Sequence, residues 1–312
     1  MRIGLDIMGG DFAPEATVKG AAMAHEALNP EDKIVLLGDS EQAKQIIRKH
    51  NLDPALFEFV HTTEVIEMGE HPTKAITQKT NSSIAVGFNL LSKGSLDAFA
   101  SAGNTGAMLV GSMFSVKTIP GVTRPAIASN IPKEHNGFGL LLDVGANADC
   151  KPETLAQFAV LGNIYAKEVL RIDHPKVGLL NLGEEAQKGN LLTQTAYPLL
   201  QELSDINFIG NIEGRDLFND RADVMVCDGF TGNVVLKMAE SFYELTSKRG
   251  FTDSFIEQFN YEQYGGSPIL GINAPVIIGH GISKPEAIKN MILLSRTMIQ
   301  SNIVTQIRTA LN

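Results

Sequence analysis

The chain has no tryptophan, two cysteines, and aromatic residues at only 6% of its 312 positions. Cys150 and Cys227 are too few for a disulfide scaffold, so the fold must rest on a packed core, and 44% hydrophobic residues supply one. No run approaches the ~18 uninterrupted apolar residues of a membrane span, and no charged-then-apolar leader opens the sequence. Positive charge is also short. Twenty-six Lys and Arg against 35 Asp and Glu give a net charge of −9, the wrong sign for a general nucleic-acid binder. The expectation is a cytoplasmic α/β protein, built as one large domain or two intimately packed subdomains because the length exceeds a usual single core.

What is abundant is glycine, 29 residues, placed repeatedly where an apolar run ends. Val224-Met225-Val226-Cys227 leads into Asp228-Gly229-Phe230-Thr231-Gly232-Asn233, read as strand, glycine turn and helix start. Such a turn aims backbone N–H groups and the positive end of a helix dipole at one spot, which suits an anion such as phosphate. The form recurs at Met8 to Asp11 after Ile3-Gly4-Leu5-Asp6-Ile7, at Ser101 to Ala107 after Ala98-Phe99-Ala100, at Asp143 to Asn147 after Leu140-Leu141-Leu142, and at Asn181 to Asn190 after Val177-Gly178-Leu179-Leu180. Loops at the carboxyl ends of parallel strands share one sheet edge, where ligands of open α/β folds bind; the five are expected to form one site. Any single loop is equally explained by Gly, Asn and Asp serving turn geometry alone.

Hydrophobic patterning predicts strands at 2–7, 33–37, 57–60, 98–100, 126–130, 137–143, 177–180, 207–209, 224–227 and 276–278. Helices are predicted at 14–28, at 40–50 capped by Ser40, and at 82–93 ended by Gly94; then at 105–117, 152–170, 191–203, 234–247 and from Pro285 onward. The strands at 126–130 and 137–143, joined through Pro132-Lys133-Glu134-His135-Asn136-Gly137, fit a hairpin. Residues 62–81 read either as a binding loop or as an ordinary crossover with a short helix from Thr73. Residues 249–266 concentrate aromatics and read as a packed connection, a dimer surface or a membrane-touching tip. The stripe Ile288, Met291, Ile292, Ser295, Met298, Ile299, Ile303 and Ile307 marks a core or dimer face.

Taken in order, Leu5-Asp6-Ile7-Met8-Gly9-Gly10-Asp11, Ser101-Ala102-Gly103-Asn104-Thr105-Gly106-Ala107, Leu142-Asp143-Val144-Gly145-Ala146-Asn147, Gly183-Glu184-Glu185 with Lys188-Gly189-Asn190, Asp228 to Val234 and Tyr264-Gly265-Gly266-Ser267-Pro268-Ile269-Leu270-Gly271 resemble the PlsX family of acyl-carrier-protein:phosphate acyltransferases across essentially the whole chain. The resemblance implies attack of inorganic phosphate on an acyl carrier protein thioester, giving acyl phosphate for phospholipid synthesis. It further implies a three-layer α/β/α fold of the phosphate acetyltransferase and isocitrate/isopropylmalate dehydrogenase type, in two subdomains. A homodimer in the cytoplasm is expected, with peripheral contact to the membrane and to a downstream glycerol-3-phosphate acyltransferase.

Phosphate is itself a nucleophile, so a catalyst must mainly position a dianion beside an apolar thioester and stabilise the developing oxyanion. Lys188 is the first candidate for that cation, with Asp228 and Asn233 as further catalytic candidates. Candidate substrate- and phosphate-binding residues are Asp6, Gly9, Gly10, Asp11, Gly103, Asn104, Thr105, Gly106, Asp143, Asn147, Glu184, Gly189, Asn190, Thr231, Gly232 and Lys237. Asp6, Asp11, Asp143 and Asp228 are read as holding their loops, as orienting Lys188 or Lys237, or as accepting the proton of monobasic phosphate. Seven scattered histidines without ligand spacing predict no metal, and no cofactor is expected. An acyl-enzyme route through Cys150 or Cys227 is disfavoured because neither has a histidine nearby in sequence. An acyl-CoA donor and, more remotely, a metal-dependent decarboxylating dehydrogenase are the competing enzymes; a non-catalytic binding module is the competing class.

Overall fold

The computed structural model describes residues 1–135 and 137–311. Along the chain it runs β1 (Arg2–Asp6), α1 (Glu15–His25), β2 (Lys33–Gly38), α2 (Ser40–Lys49), β3 (Phe57–His61), α3 (Pro72–Gln78), α4 (Ser83–Ser92), β4 (Ala98–Ser101) and α5 (Thr105–Gly111), which continues as a π-helical turn at Ser112–Val116. Then follow β5 (Ala126–Pro132), β6 (Phe138–Leu142), α6 (Pro152–Glu168), β7 (Lys176–Leu180), α7 (Leu191–Gln201), β8 (Asn207–Ile212), β9 (Val224–Val226) and α8 (Gly229–Lys248). The chain ends with α9 (Ser254–Glu257), β10 (Ser267–Leu270), β11 (Val276–Ile278), α10 (Pro285–Gln300) and α11 (Ile303–Ala310). Two compact units result, Met1–Thr118 with Tyr261–Gln300 and Ile119–Asn260 with Ser301–Asn312.

In the first unit β3, β2, β1, β4 and β11 are parallel neighbours in that order, and β10 joins β11 antiparallel. Ile3, Leu5, Ile34, Val35, Leu36 and Leu37 are all buried. Consecutive buried residues on a strand mean that both faces are covered, as βαβ connections require. In the second unit β6, β9, β7 and β8 run parallel, with β5 antiparallel against β6. The predicted hairpin is therefore present, with Ala128 opposite Leu142 and Pro132 opposite Phe138; Asn136 of its turn lies outside the described residues. Each unit thus presents its own glycine loops at the carboxyl edge of its own sheet: those after β1 and β4 in the first, those after β6, β7 and β9 in the second.

Several boundaries differ from expectation for identifiable reasons. Asp39, not Ser40, caps α2, its carboxylate accepting from the N–H groups of Glu41 and Gln42. Helix α8 begins at Gly229 rather than Val234, so the expected turn is the helix's first turn. The helix predicted at 105–117 changes to π geometry at Ser112, and Lys117 then leaves it at φ 66°. The C-terminal stripe is split by Asn302, at φ 54°, into α10 and α11, which belong to different units. On α10, Ile288, Met291, Ile292, Ser295 and Met298 of that stripe are buried, and the helix packs on α1. In the aromatic stretch, Phe255 and Phe259 pack edge-on, and Phe259 meets Phe218.

Candidate functional site

In the first unit the loops after β1 and β4 are locked together by a buried carboxylate. Asp6 Oδ1 accepts from Met8 N at 2.9 Å, Asp6 Oδ2 accepts from Ser101 Oγ at 2.6 Å, and Ser101 Oγ in turn accepts from Gly103 N at 2.9 Å. Burial pushes the Asp6 pKa above the usual carboxylate value, against the opposing hydrogen bonds from Ser101 and the loop backbone. Gly9 must lack a side chain, because a methyl there would meet Asp6 Oδ2 and Gly103 N, both at 2.6 Å. Gly10 sits at φ 102°, a backbone angle open to glycine. Asp11 donates its N–H to Gly281 O at 2.7 Å, and its carboxylate is exposed.

Asn104 caps α5 through Ala107 N at 2.9 Å, while its Nδ2 donates to the carbonyls of Glu67, Met68 and Glu70 at 3.0 to 3.1 Å. Its amide is thus committed to fastening residues 67–70 beside the β4 loop. Thr105 opens α5, and Gly106 accommodates Pro72, whose ring a methyl would overlap. Residues 62–81 form a crossover carrying the short helix α3, tied down by Lys79, which bonds Glu70 and, at 2.6 Å, Val65 O.

In the second unit Asp143 plays the part that Asp6 plays in the first. Its carboxylate accepts from the N–H groups of Ile127, Gly145, Ala146 and Asn147 and from Asn147 Nδ2, and burial again raises its pKa. The start of α8 docks on this loop. Gly229 N donates to Asn147 O at 2.7 Å, Asn233 Nδ2 donates to Val144 O at 3.1 Å, and a methyl on Gly232 would overlap the Asp143 carbonyl. Asp228 is the helix cap: Oδ1 accepts from Thr231 N at 2.8 Å and Oδ2 from Thr231 Oγ1 at 2.9 Å. The Thr231 donors are therefore taken up internally, and Gly232 packs against the Asp143 carbonyl.

The loop after β7 is built differently. Asn190 caps α7 through Thr193 N, Gly189 sits at φ 99°, and Asn181 Nδ2 holds Lys188 O at 3.1 Å. Lys188 is exposed, its stem along Gly183, and among the described residues no carboxylate pairs with its ammonium. Glu184 is claimed by Arg221 at 2.9 Å and Arg215 at 3.3 Å, and Arg221 first of all keeps its pKa below the ordinary value. Lys237 is exposed on α8 and pairs with Glu240 at 2.7 Å. Thus Lys188 is an exposed cation in the second unit, whose loops Asn147, Asn190 and Asn233 brace, as Asn104 braces its own loop in the first unit. Sequence reading missed Ser101, Asn181, Arg215 and Arg221; Ser101 and Asn181 were signalled, each by standing at the mouth of its own loop.

The thiols are poorly suited to take an acyl group. Burial, with Asp143 and Asp228 adding to it, pushes Cys150 up to about 11, and burial pushes Cys227 well above the ordinary thiol value. Among the described residues no group of three or more His, Cys, Asp or Glu could hold a metal ion.

A family model described as fatty acid synthesis protein matches residues 1–306. The chain belongs to this family. It is 43% identical over 327 aligned residues to the phosphate acyltransferase of Thermoanaerobacterium thermosaccharolyticum, covering 99% of this chain and 96% of that protein. It is 44% identical over 330 residues to that of Pelotomaculum thermopropionicum, covering 100% and 95%. Among solved structures it resembles a phosphotransacetylase from Streptococcus pyogenes, with TM-score 0.70 at 18% identity over 96% of this chain and 94% of that one. That likeness bears out the expected fold, and full-length similarity to the phosphate acyltransferases of its family makes the protein an acyltransferase whose acceptor is phosphate.

Proposed function

We propose that the protein moves a fatty acyl group from acyl carrier protein to inorganic phosphate, supplying acyl phosphate for phospholipid synthesis. A phosphate oxygen attacks the thioester carbonyl carbon. The tetrahedral oxyanion then collapses, the C–S bond breaks, and the carrier leaves as a thiolate that takes a proton from solvent. The observation that carries this reading is Lys188: an exposed ammonium in the β7 loop with which no carboxylate pairs among the described residues, in a unit where the carboxylates of Asp143 and Asp228 are taken up by donors of their own loops. It supplies the charge that phosphate and the oxyanion both need. The raised thiol pKa values support direct attack without an acyl-enzyme, since neither cysteine ionises readily near neutrality.

The protein is further proposed to work as a homodimer with peripheral membrane contact, passing its labile product to a glycerol-3-phosphate acyltransferase. Supporting this, α8 exposes Phe230, Val234, Met238, Phe242 and Leu245 at helical spacing, an apolar stripe that isolated soluble chains rarely leave uncovered. No helix among the described residues is long and apolar enough to cross a membrane. The functional test is to supply carrier thioester with and without phosphate and to follow thiol release. Turnover of acyl-CoA but not of the carrier thioester would replace the donor and leave the acceptor standing.

A further inference from the structure

We propose that the surface of the first unit made by α3, α4 and the α5 to π-helical turn is the docking face for the acidic carrier protein that presents the acyl thioester. The inference rests on the donor reading above and adds the place where that donor binds.

Between residues 71 and 118 this chain of net charge −9 holds four lysines and one carboxylate, Asp97. Asp97 accepts the Arg2 N–H at 2.7 Å, on the β1 side of the unit. No acidic residue stands on α3, α4, α5 or the π-helical turn. These elements enclose an open groove of about 400 Å³ lined by Ile76, Thr77, Thr80, Asn89, Phe114 and Ser115 among others. Lysines frame it. Lys74 stands one turn before Thr77 on α3, Lys93 one turn after Asn89 at the end of α4, and Lys117 two residues beyond Ser115. Spacings of three and four residues put the first two on the same helix faces as the groove residues they follow or precede. All three are exposed, and among the described residues none is held in an ion pair. The fourth, Lys79, is occupied by Glu70 and Val65 O. The nearest preceding carboxylates are Glu64, which accepts from Asn81 N, Glu70, which Lys79 neutralises, and Glu67.

At the groove stands Phe114, 71% exposed. An aromatic anchor beside hydroxyl and amide groups, rimmed by cations, is the composition of a protein docking site, and charge complementarity sets the encounter rate and orientation. A membrane would instead favour a continuous apolar face, such as α8 displays. The face also lies close to the chemistry within its own unit: α5 starts at Thr105, directly after the Gly103-Asn104 loop, so the groove residues of the π-helical turn sit about 10 to 15 Å along the helix from that loop. The latch from Asn104 to residues 67–70 ties the segment leading into α3 to the same loop. A flexible prosthetic arm on a carrier seated here spans such a distance.

The test uses the full chain, acyl carrier protein charged with palmitate, and phosphate. The triple variant Lys74→Glu, Lys93→Glu, Lys117→Glu is expected to raise KM for the carrier thioester tenfold or more, with kcat within twofold and a flattened dependence of KM on salt. Phe114→Ser alone is expected to raise KM at least threefold, and it serves if the triple variant fails to fold. Reversal of Lys248 and Arg249, on the second unit, leaves KM within twofold. A KM within twofold of wild type in the triple and Phe114 variants overturns the docking face. So does loss of binding to phosphatidylglycerol vesicles with an unchanged carrier KM, which would assign the face to lipid. If wild type consumes no carrier thioester, the donor reading itself falls and the face falls with it; wild-type turnover with indifferent variants removes the face alone.

Discussion

Gly232→Ala is a change of one methyl at a position where the backbone leaves no room. The added carbon would overlap the carbonyl oxygen of Asp143 and lie 3.0 Å from Cys227 Sγ. The overlapped atom is backbone, so no side-chain rotation relieves it; the first turn of α8 must lift from the β6 loop. That motion strains Gly229 N to Asn147 O, now 2.7 Å, and Asn233 Nδ2 to Val144 O, now 3.1 Å. Two such bonds are worth about 1 kcal/mol each, and overpacking adds about 2 kcal/mol. Replacing glycine inside a helix returns about 1 kcal/mol. The net expected loss is about 3 kcal/mol, read as a lower urea midpoint at unchanged slope. Gly214→Ala, where nothing lies within 4 Å, is the comparison and should stay within about 0.5 kcal/mol of wild type. A loss below about 1 kcal/mol for Gly232→Ala would refute the view that this glycine exists for close packing.

Lys188→Ala should lower kcat/KM at least a hundredfold, about 2.7 kcal/mol of transition-state stabilisation, while leaving thermal stability unchanged because the side chain is exposed; activity within threefold of wild type would remove it from the mechanism. Asp228→Ser keeps a cap acceptor for Thr231 N, so its unfolding free energy should exceed that of Asp228→Ala by about 1 kcal/mol; equal stabilities would contradict the capping role. Burial raises the folded pKa of Asp6 above 3.8, so its stabilising contribution is full below that value and is lost as pH rises through the raised pKa. Asp6→Asn, which stays neutral, should therefore gain stability relative to wild type as pH rises from 4, and urea titrations showing a constant or opposite difference would refute the assignment. A double Cys150→Ala, Cys227→Ala variant should keep at least half the turnover, measured as acyl phosphate formed; its abolition in a folded variant would restore the acyl-enzyme route.

Strands such as β1 and β2 and the β5–β6 hairpin were legible because their apolar runs end in turn residues, a local signal. The true start of α8 was not, because two glycines in its first turn lower helix propensity and only the distant Asp143 carbonyl explains why they are required. The same limit hid the work of Asn104. As a helix cap it was readable from its neighbours, but its three carbonyl partners lie 34 to 37 residues away. Ser101 meets Asp6 across 95 residues. Strand β10 escaped notice because it is short and contains Pro268, a residue that argues against a strand unless it stands at an edge. The glycine loops themselves were found from sequence, yet most of their polar side chains prove to hold the loops in shape, a division that only geometry reveals.

The central claim is tested most directly by incubating the protein with palmitoyl acyl carrier protein and inorganic phosphate, and following free carrier thiol and acyl phosphate together. The account predicts that both appear in equal amounts, that neither appears without phosphate, and that Lys188→Ala suppresses both; thiol release that does not depend on phosphate, or none at all, would contradict it.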